Sequence, residues 1–250
     1  MKKFIFSLVA ICVGMCAMAQ SSIYVHEKGG KCTEFLIENL DSISFTKGTA
    51  IATGTENGHD YVDLGLPSGL KWATCNVGAT NPEDYGNYYA WGEIATKSTY
   101  DWSTYKYFNE SYTTLTKYNN SSSYGIVDNK MTLEAADDAA IQNWGGNWRM
   151  PTIEEWQELI DNCTWTWTIL NGVIGIEVKA TNGNSIFLPA AGYRNDDERS
   201  SAGSYGYYWS SSLSTNYPDY AQSVYFYSDY HSTSRDDRSY GRSVRPVLGK

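Results

Sequence analysis

The sequence predicts an α+β fold in which two helices lie against a mostly antiparallel sheet with long loops. Three observations predict it. Two capped helical stretches sit side by side in mid-chain, about Leu133 to Asn143 and Ile153 to Asn162. Short apolar segments of period two lie before and after them. From Asn81 to Asn129 the chain is aromatic and polar without any period, the composition of ordered loops pinned by Trp91, Trp102 and several tyrosines. Strands and helices that are segregated along a chain, rather than alternating, build an α+β layer and not a wound parallel sheet.

The first helix takes Thr132 as its N-cap, with Glu134 in the first turn, where the helix dipole favours a carboxylate. Leu133, Ala136, Ala140 and Trp144 share one face, and Gly145-Gly146 ends it. In the second, Thr152 caps and Glu155 stands three residues on, a capping box, with Trp156, Leu159 and Ile160 as the buried stripe. Strands are expected at 61–64 and 70–73, around a Pro67-Ser68-Gly69 turn. More follow Cys163: alternating Trp165, Trp167 and Ile169, then 175–178, 185–188, 207–210, 221–226 and 243–247. Trp72, Trp91, Trp144, Trp148, Trp165 and Trp167 are expected in the core, each worth roughly 2–3 kcal/mol when buried. Arg149 and Arg245 lie in apolar strings and read as structural pairing residues.

The amino terminus sets the compartment. Lys2 and Lys3 precede an apolar run, Phe4 to Gly14, and Ala17-Met18-Ala19 supplies small residues at the positions a signal peptidase reads. The reading is a signal peptide over 1–19 and an exported chain, extracellular or on the outer cell surface; lipidation at Cys16 is the alternative, and Met15 fits it poorly. The apolar run is too short to span a bilayer, and no later stretch is apolar enough for a transmembrane segment. Residues 20–45 read as a short β-hairpin, with Ile23 and Val25 facing Phe35 and Ile37 across Gly29-Gly30. Residues 46–59 read as a linker, and 60–250 as the main domain.

The chain carries a net charge of −9, and losing Lys2 and Lys3 with the leader makes it −11. Residues 193–250 hold seven basic and seven acidic side chains, so the negative charge lies upstream. Without a basic footprint, nucleic acid is excluded as the expected partner. Mean hydropathy of −0.45 marks a soluble globular chain. Three cysteines survive cleavage: Cys32, Cys75 and Cys163. In an oxidising compartment one pair and one leftover is the simplest arithmetic. Cys75 with Cys163 is the expected disulfide, because both lie in strongly patterned segments; three reduced thiols is the alternative.

Several strings recur in a familiar order. Tyr61-Val62-Asp63-Leu64-Gly65-Leu66-Pro67-Ser68-Gly69-Leu70-Lys71-Trp72-Ala73 comes first, then Trp91-Gly92-Glu93, Asp137-Asp138-Ala139-Ala140 and Trp144-Gly145-Gly146-Asn147-Trp148-Arg149-Met150-Pro151-Thr152. Leu188-Pro189-Ala190-Ala191-Gly192, Tyr208-Trp209-Ser210-Ser211 and Gly241-Arg242-Ser243-Val244-Arg245-Pro246-Val247 close it. Over about residues 60–248 this resembles the Fibrobacter succinogenes major paralogous domain, which is similar to the C-terminal domain of the Legionella collagen-like adhesin. Residues 20–45 resemble the strand segment often placed before such domains in Bacteroidetes exported proteins. The resemblance implies a C-type-lectin-like fold. That fold hosts lectins, adhesins, phage receptor-binding proteins and one oxidase-like enzyme group, so it does not carry function by itself.

The functional signal is composition. Ten of the 21 tyrosines and twelve serines fall within 193–242, mixed with Asn and Asp. Tyrosine offers a large contact area at low entropic cost plus a hydrogen-bonding tip, and Ser and Asn offer adaptable polar contacts, the mixture that evolved binding surfaces use. The competing reading is that alternate tyrosines pack the sheet. The candidate ligand-binding residues are Tyr193, Asn195, Asp197, Tyr205, Tyr217, Asp219, Tyr220, Tyr227, Asp229, Tyr230, His231 and Arg235. The ligand expected is a glycan or a protein outside the cell, as for an adhesin. The runner-up is a structural component whose 20–45 segment adds a strand to a partner.

No cofactor is expected. The calcium-dependent sugar signature is absent, Tyr217-Pro218-Asp219 being a faint echo. Glu134, Asp137 and Asp138, or Asp196-Asp197-Glu198, offer oxygens for a structural calcium, weighed against a reading as solvated acidic faces. The three-cysteine spacing and three histidines fit no zinc site. No catalytic residue is assigned. A glycosidase needs two carboxyls at a defined separation, and Glu93, Glu154 or Glu155 are only arbitrary choices; the oxidase-like enzymes need a reactive cysteine pair.

Overall fold

The computed structural model describes residues 22–26, 32–36 and 53–249. The chain divides into two units, Met1–Thr46 and Lys47–Lys250. The signal peptide, the Gly29-Gly30 turn and Ile37 lie outside the described residues. In the first unit, β1 (Ser22–His26) pairs antiparallel with β2 (Cys32–Leu36), Ile23 opposite Phe35 and Val25 opposite Thr33.

The second unit is α+β, with two α-helices and three principal sheets. Its strands begin with β3 (Gly54–Glu56), β4 (His59–Asp63) and β5 (Lys71–Ala73). Residues 54–59, read as linker, therefore belong to the sheet: the Asn57-Gly58 turn, both residues at positive φ, closes a hairpin. Helix α1 (Ala139–Trp144) and strand β6 (Trp148–Arg149) precede α2 (Ile153–Asn162). Then come β7 (Cys163–Leu170), β8 (Val173–Ala180), β9 (Ser185–Pro189), the small hairpin β10 (Tyr193–Asn195) and β11 (Glu198–Ser200), β12 (Gly206–Leu213), β13 (Tyr220–Tyr227), β14 (Tyr230–Asp237) and β15 (Val247–Leu248).

The order β3-β4-β5-β15-β6 inserts the last strand between β5 and β6, with Val247 opposite both Trp72 and Arg149. The other two sheets are meanders, β7-β8-β9 and β12-β13-β14. Two apolar clusters hold them. Trp72, Trp156, Leu159, Val178, Leu188, Tyr208, Val224 and Phe226 pack one, against α2. Trp91, Trp148, Trp209, Val244 and buried tyrosines of the loop region pack the other. Trp165 and Trp167, expected in the core, are only half-buried against Phe226, because β7 is an edge strand.

Helix α2 spans the expected residues, with both halves of the Thr152–Glu155 capping box made. Glu155 also pairs with Arg149 at 2.6 and 2.7 Å, tying β6 to the helix start. The first helix is shorter than its periodicity suggests. Ala135–Asp137 is a 3-10 turn, and Asp138, not Thr132, caps α1 by accepting from the N–H groups of Ala140 and Ile141. Asp138 also accepts from Met150 N–H, so its carboxylate is spent on backbone donors. The last expected strand shrinks to β15, since Ser243 to Pro246 are drawn into separate bridges and side-chain contacts.

The loops between β5 and α1 are ordered by aromatic burial. Tyr88, Tyr89, Trp91, Tyr100, Tyr105, Tyr107 and Tyr118 are all buried. Three of their hydroxyls reach backbone carbonyls: Tyr88 OH donates to Ala191 O, Tyr100 OH to Tyr88 O and Tyr105 OH to Trp91 O. A buried tyrosine needs such a partner. Among the described residues no helix is long and apolar enough to cross a membrane.

Cys75 and Cys163 are free thiols, which corrects the expected disulfide. Cys75 Sγ lies 3.5 Å from Thr80 O, beside the cavity lined by His59 and Trp144. Cys163 sits where α2 runs into β7 and packs on the other cluster; burial pushes its pKa up to about 11. The patterning that marked both cysteines comes from strand and helix packing at two different places.

A tyrosine face on the β12–β14 sheet

Pairing in β12-β13-β14 decides which side chains share a face. Tyr207 stands opposite Tyr225 and Tyr225 opposite Ser232, so these three project to one side. Tyr208, Val224 and Phe226 project to the other, into the cluster against α2. One residue of offset thus separates a core tyrosine, Tyr208, from a surface one, Tyr207.

On the outward side seven tyrosines form one connected surface. Tyr240 neighbours Tyr193 at 5.6 Å between ring centroids, and Tyr193 meets Tyr207 edge-on at 5.3 Å. Tyr207 lies nearly parallel to Tyr205 and Tyr225, at 5.9 and 6.2 Å. Tyr227 contacts Tyr205 at 5.2 Å and Tyr230 at 5.5 Å, and Tyr225 contacts Tyr230 at 5.7 Å. Tyr227 and Tyr230 flank the two-residue Ser228-Asp229 turn as a directly opposed pair. Most of the rings are half-buried by one another, and Tyr230 is 44% exposed. Among the described residues the hydroxyls of Tyr193, Tyr205, Tyr207 and Tyr227 make no hydrogen bond to the protein.

The face is held from beneath by Arg242. It is buried, with its guanidinium 4.8 Å from the Tyr207 ring centroid and 4.5 Å from that of Trp209. It donates to Ser223 Oγ at 2.8 Å and pairs with Asp236. Its charge is thereby paired, and the rings it supports are uncharged.

Of the twelve candidate residues the structure brings four onto this face: Tyr193, Tyr205, Tyr227 and Tyr230. Asp229 lies at its rim, exposed beside Ser228. Asn195 and Asp197 sit on the adjoining β10–β11 hairpin, where Arg194 donates to Asp197 O at 2.7 Å. His231 is on the opposite side, stacked on Trp165 at 4.7 Å, and burial lowers its pKa, so at neutral pH it is an uncharged ring. Tyr217, Asp219, Tyr220 and Arg235 gather at the other end of the sheet: Tyr217 lies 5.9 Å from Tyr220, and the Arg235 guanidinium lies 4.7 Å from the Tyr217 ring. Desolvation raises the pKa of Asp219.

Sequence reading missed Tyr207, Tyr225 and Tyr240 as members. A period-two signal was present for the first two, in Tyr207/Trp209 and in Tyr225/Tyr227, but choosing the outward phase needs the register. Asp137, weighed as a calcium ligand, is instead bound by Lys106 Nζ at 2.7 Å, Lys117 Nζ at 2.5 Å and Tyr118 OH at 2.7 Å. Among the described residues no group of three or more His, Cys, Asp or Glu side chains is placed to hold a metal ion. A cavity of about 580 Å³ lies on the five-stranded sheet around Tyr61, Lys71 and Leu248, and no tyrosine of the face lines it.

A family model described as a domain of unknown function (DUF8237) matches residues 176–247, the stretch from β8 to β15 that contains the whole tyrosine face. No curated protein and no solved structure matches the chain.

Proposed function

We propose that residues 60–250 form a non-enzymatic ligand-binding module of C-type-lectin-like fold, exported and acting at the cell surface or beyond it. Its ligand lies on the tyrosine face and is a glycan, as in an adhesin. The observation that carries this reading is the set of seven contiguous tyrosines, with four unspent hydroxyls, on a neutral and rigid platform. Rings packed against one another have already lost the freedom that binding would otherwise cost. Flat apolar faces with hydroxyl tips suit pyranose rings, which offer C–H surfaces and hydroxyls together. No arginine stands exposed among the seven rings, which favours a glycan over a protein surface, whose recognition usually recruits Arg beside the aromatics. Support for the lectin-like fold comes from the two helices, the terminal strand inserted between β5 and β6, and the long ordered loop region before α1.

A glycan and protein array probed with the mature chain tests the reading. The wild type is expected to bind a defined glycan set. The Tyr227→Ala/Tyr230→Ala double variant, folded by circular dichroism, is expected to bind at least tenfold more weakly, since truncating an aromatic anchor typically costs about 2 kcal/mol or more. Unchanged binding by that variant would remove the tyrosine face as the site.

A further inference from the structure

The opposite end of the same sheet carries a second cluster with different chemistry. Arg235 and Tyr230 both lie on β14, five residues or about 17 Å apart along the strand. Around Arg235 a cavity of about 460 Å³ is lined by Gln222, Thr233, Ser234 and Arg235. Gln222 is directly opposite Arg235 in the β13–β14 register, and Val224 opposite Thr233, so one hairpin fixes the cavity wall.

Arg235 differs from the other arginines of this region. Arg238, Arg242 and Arg245 are fully buried and spent on carbonyls, hydroxyls, an amide oxygen or Asp236. Arg194 is spent on Asp197 O. Arg199 lies over Tyr85, in contact with a ring rather than a cavity. Arg235 is exposed, makes no ion pair among the described residues, and rests on the Tyr217 ring at 4.7 Å. A guanidinium laid on an aromatic face keeps its in-plane N–H groups pointing outward, the fork that receives a carboxylate in bidentate fashion. The side-chain amide of Gln222 and the hydroxyl of Thr233 make no side-chain hydrogen bonds to the protein among the described residues, and they stand beside that fork.

Three carboxylates lie nearby, two of them with side-chain partners of their own. Asp236 pairs with Arg242. Asp237 is bonded to Tyr240 and Trp102, and Asp219 feels the charge of Arg238. None of them meets Arg235 in an ion pair.

We infer that the Arg235–Gln222–Thr233 cleft is a subsite for the carboxylate of an acidic sugar, a hexuronic acid residue, separate from the neutral platform at the tyrosine face. Arg235 takes the carboxylate, while Gln222 and Thr233 take ring hydroxyls. The sugar identity rests on the glycan reading above; the carboxylate specificity rests on Arg235 alone.

Titration of the full mature chain with D-glucuronate and, separately, D-glucose, followed by NMR, tests the inference. Glucuronate is expected to shift the Gln222, Thr233 and Arg235 signals saturably. Glucose is expected to bind at least tenfold more weakly. Arg235→Gln should abolish the difference between the two sugars. Arg235→Lys should keep the preference for the acid at reduced affinity. Equal responses to both sugars, no response to glucuronate at millimolar concentration, or a glucuronate response that survives in Arg235→Gln would each overturn the proposal. Loss of array binding on changing Tyr227 and Tyr230, with no glucuronate response, leaves the tyrosine-face reading standing and removes this one. A glucuronate response in a protein whose array binding ignores the tyrosines does the reverse.

Discussion

Replacing Arg238 by methionine is expected to lower the stability of the second unit by about 3–5 kcal/mol, read as a fall in the urea midpoint with no change in slope. Arg238 is fully buried. Its Nε donates to Tyr105 OH at 2.9 Å, and its two terminal nitrogens donate to the carbonyls of Tyr118, Pro218 and Lys117 at 3.1, 2.8 and 3.0 Å. The guanidinium is also walled by Trp91 and Tyr105, at 5.0 and 5.2 Å from their ring centroids. Methionine fills much of the volume but donates nothing. Three carbonyls and a hydroxyl then lose a buried donor, and each orphaned group costs about 1–3 kcal/mol before relaxation. Arg238 bridges the loops at 105–118 and 217–219, so the near-ultraviolet signal of the buried aromatics should weaken as well. A variant as stable as the wild type would show that these loops are held by packing alone.

Asp137→Asn is expected to cost a comparable amount at pH 7 and to flatten the acid limb of the stability curve. The Asp137 carboxylate is buried, and burial alone would raise its pKa. Hydrogen bonds from Lys106, Lys117 and Tyr118 overcome that and hold it well below the usual carboxylate range. A depressed folded-state pKa means that the unfolded chain takes up the proton first. The contribution is therefore whole above the unfolded value of about 3.9 and is lost progressively as pH falls below it. Wild-type stability should drop between about pH 4 and pH 2 by more than that of Asp137→Asn, measured by urea denaturation at each pH. Parallel curves would contradict the role given to this network. The same network explains why the acidic cluster is poorly suited to calcium: its oxygens are occupied by two ammonium groups and a phenol.

Local signals carried much of the fold. The capping box at Thr152 and Glu155 fixed α2 to the residue, because cap chemistry is encoded within four positions. Arg149 and Arg245 stood out as cations inside apolar strings, and both are pairing residues: Arg149 with Glu155, and Arg245 with Asn76 Oδ1 and the carbonyls of Ala73, Thr74 and Phe187. Arg238 and Arg242 gave no such signal. They sit among Asp, Ser and Tyr, in a string that reads as solvated loop, and only tertiary contacts bury them. The first helix was overestimated because Leu133 and Ala136 continue the apolar period of α1, while Asp138 stops the helix by capping it. β14 was missed since Tyr-His-Ser-Thr-Ser-Arg-Asp-Asp has no apolar alternation; β13 templates it by eight registered pairs.

The site was legible as composition and not as geometry. Counting tyrosines pointed to the 50 residues that hold the tyrosine face but left open which phase of each strand faces out. Register supplies that, and it splits the candidates into the tyrosine face, the Arg235 cleft and the His231–Trp165 stack. A one-residue shift of β12 would have exchanged Tyr207 for Tyr208 and buried the platform.

Tyrosine-selective chemical modification, mapped by mass spectrometry with and without the glycan found on the array, tests the central claim most directly. Ligand is expected to shield Tyr205, Tyr227 and Tyr230 together, while Tyr112, exposed elsewhere on the domain, reacts at the same rate in both samples. Shielding of Tyr112 with those three still reactive would place the binding surface somewhere other than the β12–β14 sheet.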